Sequence, residues 1–177
     1  MKSKSSIFVT LTAVFAAVYA VGVVALAQIS FLPFQARVAD ALLPLAMVFG
    51  WPAVVGLSIG AFVANVFGGL GPIDMFGGAI ANFLATFLAW RIARNRAKRW
   101  GLVGVIVEIV VVSLVVGSYL RYLFAIPLLV GWAEVGIGSV IAIGILGSVL
   151  YFAAKERVAT LLRPYGLVQS DADSKNL

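Results

Sequence analysis

Six ionisable side chains stand in stretches that are otherwise apolar: Arg37 and Asp40 within FLPFQARVADALLPLAMVFGW (residues 31–51), then Asp74, Glu108, Arg121 and Glu134. A carboxylate accepts hydrogen bonds and a guanidinium donates them in a planar fork. Brought together, such groups would hold a small polar molecule that carries donors and acceptors on one edge. Gln35, Asn65 and Asn82 add amides that do both, and Tyr119, Tyr122 and Trp132 add flat faces on which a planar heterocycle can stack. Catalysis finds no support in the same residues. The chain has neither histidine nor cysteine, which removes the commonest proton shuttle and the thiolate nucleophile, and no paired-carboxylate or nucleophile–base motif stands out. No catalytic residue, metal ligand or cofactor is therefore expected.

Plainer roles compete for each residue. Arg37 and Asp40, three apart, suit a structural salt bridge. Asp74 and Glu134 fall where helices are expected to begin, and acids there offset the helix dipole. The aromatic residues also suit interfacial anchors, which is the preferred reading for Trp51, Trp90 and Trp100. An ionisable residue costs about 2.5–3.5 kcal/mol at the centre of a membrane helix and much less near its ends. Which reading holds depends on the elements that carry these residues.

The chain of 177 residues is 63% hydrophobic and 11% charged, far more apolar than a soluble domain of that size, and reads as one integral membrane domain. The apolar runs predict six helices, at about 7–32, 38–50, 51–67, 72–90, 101–124 and 134–154. A loop is expected through AIPLLVGW and a disordered tail at about 166–177. Lys2, Lys4 and the sequence Ala25-Leu26-Ala27 would also fit a cleavable signal peptide, but the first run exceeds the usual apolar region of about 7–15 residues, so it is expected to remain as a helix. The second and third runs are short and interrupted by Gly50-Trp51-Pro52 and GGLGP, and broken helices at membrane depth point to a ligand site.

With six spans, eleven of the 13 basic residues fall on one side: Lys2, Lys4, Arg91, Arg94, Arg96, Lys98, Arg99, Lys155, Arg157, Arg163 and Lys175. By the positive-inside rule that side, with both termini, is cytoplasmic. The net charge of +6 is thereby accounted for without a nucleic-acid partner, with contact to anionic lipid as the other use of the cluster. Five of the six ionisable residues then converge on the external face, and Glu108 lies nearer the cytoplasm. The gathering favours a small polar solute, and the chain reads as an all-α, six-helix membrane bundle.

Helix 1 carries TAVFAAVYA, in which Ala13 and Ala17, and Ala16 and Ala20, are spaced i,i+4. Small residues at that spacing allow close helix packing, within the chain or with a partner. With this pattern the chain resembles the substrate-binding S components of energy-coupling-factor (ECF) transporters. The stretch QARVADALLPLAMVFGWPAVVGLSIGAFVANVFGGLGPIDMFGGAIANFLAT, with SYLRYLFAIP and GWAEVGIG downstream, resembles the QueT group, associated with queuosine precursors. It departs from that group at Asp40, where a glutamate is usual, and at Ser139, where an acid is usual. The resemblance implies an external site for a 7-deazaguanine base that includes the Arg37–Asp40 segment. It also implies docking of Ala13, Ala16, Ala17 and Ala20 on a membrane-embedded coupling protein driven by two ATPases, in the plasma membrane of a prokaryote. A stand-alone carrier driven by a cation gradient, with Glu108 as coupling carboxylate, is the alternative.

Overall fold

The computed structural model describes residues 4–27, 37–94, 96 and 99–162, and every regular element among them is helical. Helix α1 spans Lys4–Ala25, α2 Val38–Phe49, α3 Trp51–Gly68, α4 Pro72–Ala93 and α5 Arg99–Phe124. Helix α6 runs through three segments, Leu128–Ser139, a π-helical Val140–Gly147 and Ser148–Leu162. All but α2 are long and apolar enough to cross a membrane. The end expected for helix 1 near residue 32, Gln35, Lys2, Lys98, Arg163, Lys175 and the tail at 166–177 lie outside the described residues.

The shape of α2 follows from Pro44. A proline supplies no N–H to the α-helical ladder and its ring would press on the carbonyl of Asp40, one turn back. Val38–Leu45 is wound instead as a 3-10 helix, and only Ala46–Phe49 is α-helical. At about 2.0 Å per residue the tighter winding carries α2 roughly 22 Å, where an α-helix of equal length covers about 18 Å. Gly50 then turns the chain at φ +65°, a left-handed conformation that favours glycine, and Pro52 occupies the first turn of α3, where no intrahelical N–H is needed.

Where the sequence predicts a loop through AIPLLVGW and a last helix opening near Glu134, the helix begins at Leu128. Pro127 is extended, as a residue before a helix should be, and its carbonyl accepts the Gly131 N–H at 3.1 Å. Gly131 reads as a turn signal, yet it serves close packing. A Cβ there would stand 2.6 Å from the Gly117 carbonyl of α5, and Trp132 Nε1 donates to Ser118 Oγ at 3.0 Å.

Contacts fix the helix directions. α1 and α3 run parallel, with Gly56 against Thr12 and Phe15, and Gly60 against Ala16 and Tyr19, so close that a Cβ at either glycine would fall 2.6–2.9 Å from those atoms. α2 returns along α1, placing Ala39 by Gly22 and the Phe49 ring 5.0 Å from that of Phe15. α4 and α5 are antiparallel, and α6 returns along α5, from Gly131 at Gly117 to Tyr151 at Gly101. The start of α1, the Gly50 turn, the α4–α5 connection and Lys155 thus share one end. There Arg94 lies 5.0 Å over Trp90, Arg96 4.3 Å over Trp100 and Lys155 5.8 Å over Tyr151. Trp90 differs from a free interfacial anchor, because it is buried beneath Gly50 and packed on Trp51 and Phe87.

α1 is attached along one stripe. Phe15, Tyr19 and Val23, each four residues apart, are buried, Ala16 meets Gly60 and Ala20 packs on the core. Ala13 and Ala17 are exposed, alongside Val14, Val18 and Val21.

Candidate ligand site in the helix core

The end opposite the basic cluster carries the buried charges. Arg37 caps α2, and its carbonyl accepts the Asp40 N–H at 2.9 Å. Residues three apart eclipse in a 3-10 winding, which turns the Arg37–Asp40 stretch inward. Both side chains are buried in a core made largely of alanine, valine and leucine. The ion pair seen crosses between helices, from Arg37 Nη2 to Asp74 Oδ1 in the first turn of α4, at 3.8 Å. Arg37 also acts electrostatically on Asp40, so one guanidinium stands against two carboxylates.

Each of those carboxylates has a second partner. Tyr19 of α1 donates its hydroxyl to Asp40 Oδ1 at 2.5 Å, and Tyr119 of α5 donates to Asp74 Oδ1 at 2.9 Å. A hydrogen bond to an ionised acceptor is worth about 1.5–3 kcal/mol, roughly twice a neutral one. The two phenols therefore tie α1 to α2 and α5 to α4 through the charged groups themselves. Amides fix the frame: Asn65 Nδ2 donates to the Asp74 carbonyl at 2.7 Å, and Asn82 Nδ2 to the Leu57 carbonyl at 3.4 Å. Gly78 leaves room beside them, since a Cβ there would run into the Asn65 amide and reach 3.5 Å from Arg37 Nη1.

Arg37, Asp40 and Asn82 line a cavity with Val112, Val116, Val135 and Ser139. Its volume is about 10 Å³, counted as space for the centre of a water molecule, which is room for a single water. Unused acceptors remain close by. Asp74 Oδ2 and Asn65 Oδ1 are buried and meet no hydrogen-bond donor among the described residues, so the site offers acceptors to a molecule rich in N–H groups.

Of the residues expected from the sequence, Arg37, Asp40, Asn65, Asp74, Asn82 and Tyr119 come together, and Gln35 lies outside the described residues. Arg121 and Tyr122 do not join them. Tyr122 is 76% exposed, and Arg121 lines an open depression at the end of α5 with Ala125, Ile126, Pro127 and Leu128. Trp132 bonds to Ser118, and neither it nor the half-buried Glu134 lines the cavity. Tyr19 and Ser139 are the polar residues that the site reading lacks. Tyr19 carries the one usable signal, a hydroxyl four residues after Phe15 on an otherwise apolar stripe.

No curated protein and no solved structure matches this chain. A family model does, that of the QueT transporter, over residues 9–156. The matched range takes in most of α1, all of α2 to α5 and the whole cavity lining. The chain accordingly belongs to the QueT transporter family and is a multi-pass membrane transport protein rather than an enzyme.

Proposed function

We propose that the chain is the S component of an ECF importer, which captures a 7-deazaguanine queuosine precursor outside a prokaryotic cell and delivers it inward. An ECF transmembrane coupling protein and two ATPases are its partners, and ATP hydrolysis belongs to the ATPases. In this reading α2 is a sixth crossing, and the end carrying Arg94, Arg96 and Lys155 faces the cytoplasm, as the positive-inside rule requires. The observation that carries the proposal is the buried Arg37–Asp40–Asp74 cluster with its two tyrosines in a chain of this family. A guanine-like edge presents adjacent N–H donors to one carboxylate, its carbonyl takes a donor such as Arg37 or Asn82, and its ring stacks on an aromatic face. Asp40 lines the cavity and is the preferred carboxylate. Docking would use the exposed Ala13 and Ala17 face of α1, since Ala16 and Ala20 are engaged within the bundle.

Thermal unfolding of the purified protein with 7-deazaguanine bases, guanine and water-soluble vitamins tests the reading, because a ligand of the native state must raise its stability. A rise with a 7-deazaguanine that disappears in Asp40→Ala is the expected result. A rise with a vitamin alone would overturn the substrate, and no rise with a folded protein would overturn the binding role. The carrier alternative draws on one observation, that Glu108 is fully buried with neither oxygen meeting a donor among the described residues. Uptake that continues without any coupling module would select it.

A further inference from the structure

The buried charges do not balance. Among the described residues, those closed off in the core are Arg37, Asp40, Asp74 and Glu108, one cation against three acids, with the phenols of Tyr19, Tyr119 and Tyr151 as the other titratable groups. Arg37 answers Asp40 and Asp74, and each of these also accepts a tyrosine hydroxyl. Glu108 has neither kind of help. Neither of its oxygens meets a hydrogen-bond donor among the described residues, and the charged group that acts on it is Asp40, of the same sign.

Its position suits an ion. Glu108 lies one helical turn, about 6 Å, below Val112 on the buried face of α5 that continues through Val116 to Tyr119, and so stands under the cavity. The 3-10 stretch of α2 and the π segment of α6 pack on each other nearby, with Gly147 against Pro44 and the Ala41 carbonyl, and the π segment reaches α5 where Gly144 meets Ile109. Windings other than α turn carbonyls away from the regular ladder, and interrupted helices supply such carbonyls to ions in transporters. Among the described residues no three His, Cys, Asp or Glu side chains gather to hold a multivalent metal. One buried carboxylate carries a single negative charge, which one monovalent cation balances.

We infer that Glu108 is a monovalent-cation site that holds an alkali-metal ion or a proton, the charge the core otherwise lacks. The inference does not rest on the identity of the organic ligand, and its test contains none, so the two fail separately. Unfolding midpoints of the full chain are measured in NaCl, KCl and choline chloride at matched ionic strength, for wild type and Glu108→Gln. With an alkali ion, the wild-type midpoint rises by about 3–6 °C for each tenfold of cation above its Kd. Glu108→Gln loses that dependence and unfolds in choline no lower than wild type. With a proton, the three salts are equivalent, and wild type loses stability relative to Glu108→Gln as pH is raised from about 5 to 9. A wild type that tracks the variant through both series overturns the inference, as does a variant lower by one constant margin throughout. Should the glutamine variant not fold, Glu108→Met keeps the length without polar atoms and is read by the same criteria.

Discussion

Gly77 provides a steric handle on the site. It lies in α4 three residues from Asp74, and a Cβ added there would stand 2.7 and 2.8 Å from Cε1 and Cδ1 of Tyr119. Ordinary carbon contacts are about 3.5–4.0 Å, so in Gly77→Ala the ring must retreat by roughly 1 Å. The Tyr119 hydroxyl is 2.9 Å from Asp74 Oδ1, and a retreat of that size takes it out of hydrogen-bond range. The lost bond to a charged acceptor costs about 1.5–3 kcal/mol, and residual overpacking about 1–3. The better helix propensity of alanine returns about 1. The expected net loss is about 1.5–5 kcal/mol. Tyr119→Phe removes the hydroxyl without the clash and should cost about 1.5–3 kcal/mol. In the phenylalanine background Gly77→Ala retains only its steric part, so a double-mutant cycle on unfolding free energies should return a coupling of about 1.5–3 kcal/mol. Strict additivity would refute the reasoning, because it would mean that the ring yields to the methyl group without leaving Asp74.

Two further outcomes follow from how side chains face. Ala17→Leu, on the exposed side of α1, should leave the unfolding midpoint of the isolated protein within about 1 °C and, if α1 docks on the proposed coupling protein, abolish uptake with it. Ala16→Leu, opposite Gly60, should destabilise the isolated protein by about 1–3 kcal/mol. Equal behaviour of the pair in both assays would discard the assignment of faces. Arg121→Ala and Tyr122→Ala should leave ligand-induced stabilisation unchanged, and a loss in either would place the open end of α5 in the ligand's path.

Depth along each helix was legible from the residues and rotation about its axis was not. Each helical residue adds about 1.5 Å, so counting from Gly50-Trp51-Pro52 and GGLGP sets Arg37, Asp74 and Tyr119 near one end. Rotation is read from alternation of polar and apolar positions, and helices apolar on all sides show little of it. Arg121 is two residues past Tyr119, about 200° further round. The sequence groups the two by depth, whereas the fold sends Arg121 outward. Tyr19 escapes notice for the same reason, since its partner Asp40 is 21 positions away and only the packing of α1 on α2 joins them. At Leu128 a local signal misleads, because Pro127 and Gly131 are turn residues in isolation and a helix start and a close contact in place.

A cavity that admits one water also dictates a time course. If the ligand is the planar bicyclic base proposed above, it cannot enter while α2, α4, α5 and α6 keep these positions, and opening becomes a step of capture with a rate of its own. At high ligand concentration the observed rate should level off at that opening rate. Apparent affinity is diluted by the open fraction: if 1% of molecules are open, about 100-fold of the intrinsic affinity is lost. The same barrier acts on the way out. A molecule once enclosed leaves no faster than the helices part, so its residence time is set by the protein's opening as well as by the strength of its contacts.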